Sequence, residues 1–275
     1  MWPWPGRTPN TSTKNWWLFP PQTREVQVDE KWGFVGKKEQ HCDPDNPLDR
    51  LRGDDWDHTA IDPESRLLLG LVPGKRDGAH CQQLIQEVHQ RTGGRTDLLI
   101  TSDAHAPYAT AIAEVYGVDV PQPKRPGPGR PPKPKRVLPP DLCYATVCKK
   151  REHGRVVEVT RAVVFGTACL LALLLSRSRV SSTINTAFVE RNNGTDRGQN
   201  ARKHRKTYAF SKDLTLHHAA SYFIAYTYNF CWCVRTLRVQ GKDGRYEHRT
   251  PAMAAGLADH VWSLQEWITY PARPS

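Results

Sequence analysis

Residues 121–140, PQPKRPGPGRPPKPKRVLPP, set the first limit on how this chain can fold. Proline lacks a backbone N–H and fixes φ near −65°, so a run this dense supports neither a helix interior nor a central strand. Lysine and arginine fill most of the places between the prolines. The expected form is an extended basic segment, either a solvated linker or an arm that tracks phosphates. Regular structure has to come from the sequence on either side.

Before it, EVQVDEKWGFVG alternates, with Val26, Val28 and Trp32 marking a strand. A polar loop is expected over 40–55, then two short strands around the turn Asp62-Pro63-Glu64-Ser65. DGAHCQQLIQEVHQRTGG reads as a helix, with Cys81, Leu84 and Val88 on one face and Gly93-Gly94 as the stop. RTDLLITSDAH predicts a strand ending on Asp103, and PYATAIAEVYG a helix with Pro107 in its first turn. After the basic segment, DLCYATVCKKREHGRVVEVTRAVVFG predicts strand, turn and strand. Two helices follow, one around Glu190 and one over SKDLTLHHAASYFIAYTYNFCW with Ser211 as a cap. This order implies an α/β fold with a mixed sheet and crossover connections. The expected layout is an irregular arm at 1–24, one α/β domain over 25–235, and a polar tail at 236–275 with a short helix in SLQEWI.

A net charge of +11, carried by 39 Lys and Arg, favours a polyanionic partner: DNA, RNA or anionic lipid. The most apolar stretch, VVFGTACLLALLL at 163–175, falls short of the roughly 20 residues that span a bilayer, so it is expected as a buried element with no membrane role. The opening MWPWPGRTPN has no signal-peptide pattern. Seven cysteines without zinc-finger spacing point to reduced thiols in the cytoplasm and no structural zinc.

Three acids are singled out by position: Asp29 inside the first strand, Asp103 at the end of a later one, and Glu190 on a helix. If the strands are neighbours, the carboxylates meet at one sheet edge and repel unless a cation joins them. Mg²⁺ suits carboxylates, water and substrate phosphate, and a pair of ions supports in-line phosphoryl displacement, with Asp29 as the bridge. Chance placement competes with this reading in a chain with 28 Asp and Glu, and Asp103 is also placed to cap the next helix. Alternation sends Glu30 to the face opposite Asp29, which leaves room for only one of them in the site. Asn193 and Arg197 follow Glu190 by three and seven residues and share its helix face, where they suit phosphate contact. Arg202, Lys203, Arg205 and Lys206 extend that basic surface. His217 and His218 point about 100° apart on a helix and make a poor metal pair.

VDEKWGFVGKK at 28–38, LLITSDAHAPY at 98–108 and STINTAFVERNNGTDRGQNARKHRKTYAFSKD at 182–213 carry a likeness. Together they resemble the catalytic part of bacterial insertion-sequence transposases of the IS1-like group, which are Asp-Asp-Glu recombinases with an RNase H-like core. The resemblance implies that Asp29, Asp103 and Glu190 are the catalytic, metal-binding acids and that the cofactor is Mg²⁺ or Mn²⁺, as two ions. It further implies cleavage at element ends, joining of a 3′-hydroxyl to target DNA, and a homo-oligomer on paired ends in the cytoplasm, at the nucleoid. The family's upstream recognition elements have no counterpart in the residues before Asp29, so a catalytic portion without that region is expected. Two alternatives stay open: a nuclease that only hydrolyses, and a non-catalytic DNA-binding remnant or transposition inhibitor.

Overall fold

The computed structural model describes residues 22–123 and 132–270. The expected arm at 1–24 lies outside these residues except for 22–24, as does the centre of the basic segment. Strands β1 (Glu25–Val35), β2 (Gly53–Ile61) and β3 (Leu68–Gly74) form an antiparallel meander. Helix α1 (Gly78–Arg91) crosses to β4 (Leu99–Asp103), which lies parallel to β1. Helix α2 (Pro107–Tyr116) then leads to β5 (Val118–Val120), and the chain returns through β6 (Lys135–Val137). β7 (Cys143–Glu152) joins β4 in parallel, and β8 (Arg155–Phe165) turns back along β7 as the sheet edge. The six-stranded order is β3-β2-β1-β4-β7-β8, a mixed sheet flanked by helices.

Val26, Val28, Ile100 and Tyr144 face α1 and α2 and bury against Leu84, Ile85, Val88, Tyr108 and Ile112. The intervening residues, among them Leu99, Cys143 and Ala145, face the other way and meet Leu174 of α3 (Ala168–Arg177). Helices α4 (Ala187–Gln199) and α5 (Leu214–Cys231) follow. After a two-stranded ladder of β9 (Val239–Gln240) and β10 (Tyr246–Glu247) come the short helices α6 (Pro251–Ala254) and α7 (Leu264–Thr269).

Several expectations need correction. β2 begins at Gly53, and the preceding polar stretch holds two 3₁₀ turns, so the loop is shorter than 40–55. The basic segment does yield a strand, β6, but only over its proline-free Lys135-Arg136-Val137, paired with β5 away from the main sheet. The 163–175 run is not a buried element: Val163, Val164 and Leu173 are exposed and Leu174 is its buried residue. β8 has a neighbour on one side only, and α3 covers that end of the sheet with a single face. Asp213, not Ser211, caps α5; the Ser211 hydroxyl lies 2.7 Å from His217 Nδ1. The tail shares the core, with Trp262 against Phe230 and Trp267 edge-on to Phe223. Among the described residues, no helix is long and apolar enough to cross a membrane.

Candidate metal centre and basic cleft

β1 and β4 pair only from Glu25–Leu99 to Gln27–Thr101. Beyond that register β1 continues along β2 and β4 along β7, so the two parallel strands part. A crevice at the carboxyl ends of parallel strands is where open α/β sheets commonly hold ligands. Here it is a cleft of about 610 Å³ lined by Asp29, Glu30, Asp103, Glu190, Arg76, Lys149, Arg197 and others.

Asp29, Glu30 and Asp103 each offer a carboxylate oxygen within 4.8 Å of the other two. The expectation that only one of Asp29 and Glu30 reaches the site is therefore wrong. Their partners do lie on different sides: Asp29 accepts from Asn193 of α4, and Glu30 from Arg76, which precedes α1. What alternation alone misses is the gap between β1 and β4, around whose rim both carboxylates converge. Asp103 Oδ1 accepts the His105 N–H at 3.1 Å, while Ala106 stands at the N-cap of α2 and no side chain caps that helix. Asp103 is thus not the cap of α2.

Helix α4 brings Glu190 to the same cleft, though few apolar residues hold it in place. Its N-cap, Thr186, makes no capping bond. Gln27 of β1 does that work: its Oε1 accepts the N–H groups of Phe188 and Val189 at 3.0 and 3.2 Å, and its amide donates to Asn185. One helical turn later, Asn193 donates to Asp29 Oδ2 at 2.8 Å and accepts from the Thr59 hydroxyl at 3.3 Å. A further turn on, Asp196 pairs with Lys31. Glu190 itself accepts from the Thr186 hydroxyl at 2.6 Å and pairs with Lys149 of β7. Gly194 lies inside α4, and a Cβ there would meet nothing within 4 Å, so the helix faces open space one turn after Glu190.

Burial raises the Asp29 carboxyl to about 7, and the charges of Glu30, Asp103 and Glu190 push the same way. Asn193 opposes the rise by donating to the charged form. Asp103 is raised as well, by burial and then by Glu30. Three carboxylates held this close, two of them raised, fit a divalent cation.

The basic side chains divide. Lys203 does not join the surface: it is buried and bonded to Asp57 and the Ser221 hydroxyl. Asp57 also meets Lys31 at 3.0 Å. Burial alone would raise the Asp57 carboxyl, but the ammonium groups of Lys203 and Lys31 hold it well below its ordinary value. Asn193 is likewise buried, and its amide is used on Asp29 and not turned to solvent. Arg197 is half-buried on the cleft wall, and Arg202, Arg205 and Lys206 are exposed with no ion pair among the described residues. Burial lowers the Arg197 guanidinium, and Arg205 nearby lowers it further. His218 and His217 both approach Asp55, at 2.9 and 3.5 Å, without forming a group of three metal ligands among the described residues.

Sequence reasoning missed Gln27, Arg76 and Lys149. Gln27 had a visible signal, a polar residue between two buried valines of a strand. The other two depend on which strands and loops become neighbours.

No family model and no curated protein matches the chain. Among solved structures, the Mos1 transposase paired-end complex with left transposon end aligns with 34% of this chain and 33% of its own length. The aligned part is 19% identical with a TM-score of 0.22, too slight a likeness to carry an argument.

Proposed function

We propose that this chain is the catalytic part of a DNA transposase with an RNase H-like core, of the IS1-like kind. Asp29, Asp103 and Glu190 are its metal-holding catalytic acids. The observation that carries the reading is the meeting of Asp29 and Asp103 from parting parallel strands, with Glu190 lining the same cleft. Divalent ions, Mg²⁺ or Mn²⁺ and two in number, would activate the attacking oxygen and stabilise the leaving one.

The chain's own residues do the positioning. Asn193 fixes Asp29, and Thr186 with Lys149 fixes Glu190. Arg197 faces the scissile phosphate from the cleft wall, and Arg202, Arg205 and Lys206 hold the DNA backbone beyond it. The attacking oxygen belongs to water in strand cleavage and to a DNA 3′-hydroxyl in joining; in each, the P–O bond to the leaving oxygen breaks in line. The partners are element ends and target DNA, engaged by more than one copy of the chain.

A nicking assay on supercoiled plasmid in Mg²⁺ or Mn²⁺ tests this. Nicking that falls at least 100-fold in Asp103→Asn supports a metal-dependent enzyme, and integrated products identify strand transfer over hydrolysis. DNA binding with no product in either protein favours the non-catalytic remnant.

A further inference from the structure

We infer that Glu30 is an additional metal-ligating residue of this cleft, offering Oε2 to a divalent cation while Oε1 holds Arg76 at the rim. The inference rests on the metal-dependent reading above and extends its ligand set beyond the three acids.

The Glu30 side chain is 1% exposed, and its Oε2 is buried with no hydrogen-bond partner. An orphaned buried carboxylate oxygen is costly, and such atoms in a folded protein call for a partner. Arg76 does not supply one. Its Nε (2.8 Å) and its Nη2 both converge on Oε1. A pair built only for mutual stability would set the guanidinium fork across both oxygens. His105 Nδ1 stands 4.0 Å from Oε1, outside hydrogen-bond reach.

Glu30 belongs to the one group among the described residues whose spacing suits a cation, one of its carboxylate oxygens lying within 4.8 Å of an oxygen of Asp29 and of Asp103. Mg²⁺ takes oxygen ligands at about 2.0–2.1 Å, so side-chain shifts of up to about 1 Å would close such a set around one ion. Glu30 then adds a charge from the α1 side of the sheet to those that Asp29 and Asp103 bring from the α4 side. Glu190, paired with Lys149 across the cleft, is left for a second ion. Arg76 lies over the Trp56 ring at 4.9 Å, so Glu30 and Trp56 together fix a cation at the edge of the metal centre, facing the place of a substrate phosphate.

The test is Mn²⁺ titration of the full chain at pH 7.5, with free Mn²⁺ read by electron paramagnetic resonance, for the parent, Glu30→Gln, Arg76→Gln and Asp29→Asn. The expected result is at least a tenfold loss of affinity at the tightest site in Glu30→Gln with circular dichroism unchanged, and a severalfold gain in Arg76→Gln, which removes a competing cation. Parent-like affinity in Glu30→Gln, with binding lost in Asp29→Asn, overturns the role of Glu30 and leaves the metal centre standing. Parent-like affinity in both carboxylate variants overturns the metal centre itself. If Glu30→Gln does not fold, Arg76→Gln decides: tighter binding supports ligation by Glu30, and unchanged or weaker binding overturns it.

Discussion

The side-chain amide of Asn193 donates to Asp29 Oδ2 at 2.8 Å, linking the Glu190 helix to the first acid of the cleft. Asn193 is buried, and its amide oxygen accepts from Thr59, so neither end of the amide is free to turn away. This bond is the direct tie between the helix that delivers Glu190 and the carboxylate at the centre of the site.

Asn193→Ala removes a donor that favours the charged form of Asp29. The Asp29 carboxyl, already raised to about 7, should rise further. Nicking activity at pH 7 should fall about tenfold, the scale of a lost hydrogen bond to a charged group. The acid limb of the pH–rate profile should move to higher pH, which a merely structural loss would not produce.

Asp29 and Asp103 are both raised in the folded chain. A carboxyl raised on folding binds its proton more tightly in the native state, so its contribution is full below the unfolded value and fades as pH rises through the folded one. Stability of the metal-free protein should therefore decline between about pH 4 and pH 7, the window set by Asp29. Thermal melting at pH 8 should come on the order of 5 °C below that at pH 5.5. Mg²⁺ in the millimolar range should narrow the gap, because the ion replaces the proton as the neutralising charge.

Much of the fold was legible in the sequence because its signals are local. Alternation in β1, the Pro63 turn, the Gly93-Gly94 stop and the position of Asp103 at the end of β4 each follow from neighbouring residues. α4 could be recognised as a helix, but not what attaches it. With little apolar periodicity, it is held by Gln27, Asp29 and Lys31, which lie more than 150 residues earlier in the chain. Lys203 was misplaced for the same reason: a lysine in a basic run looks solvated until Asp57 is known to lie beneath it. Glu30 was excluded by a correct rule about alternating faces, applied to a strand whose neighbour peels away.

Asp57 stands between two buried lysines, Lys31 and Lys203. Asp57→Asn leaves Lys203 without a carboxylate away from water, and leaves Lys31 to Asp196 alone. The expected cost is about 3–5 kcal/mol, the range for removing one partner of a buried pair. Urea denaturation measures it, and a change under about 1 kcal/mol would mean that water reaches the lysines.

The exposed and buried basic residues should separate in DNA binding. Arg205→Ala and Lys206→Ala should each weaken binding to any duplex sequence and reduce the slope of log K against log salt by about 1. Lys203→Ala should instead lower stability with the salt slope unchanged. Equal slopes in all three variants would place the DNA elsewhere on the chain.

The proposed chemistry depends on a cation held among Asp29, Asp103 and Glu190. Anomalous diffraction from crystals soaked in Mn²⁺ is its most direct test. The predicted result is one or two strong peaks between β1 and β4, bounded by Asp29 and Asp103, with Glu190 released from Lys149 toward the metal. Well-ordered carboxylates with no peak at saturating Mn²⁺, and the Lys149–Glu190 pair intact, would contradict it.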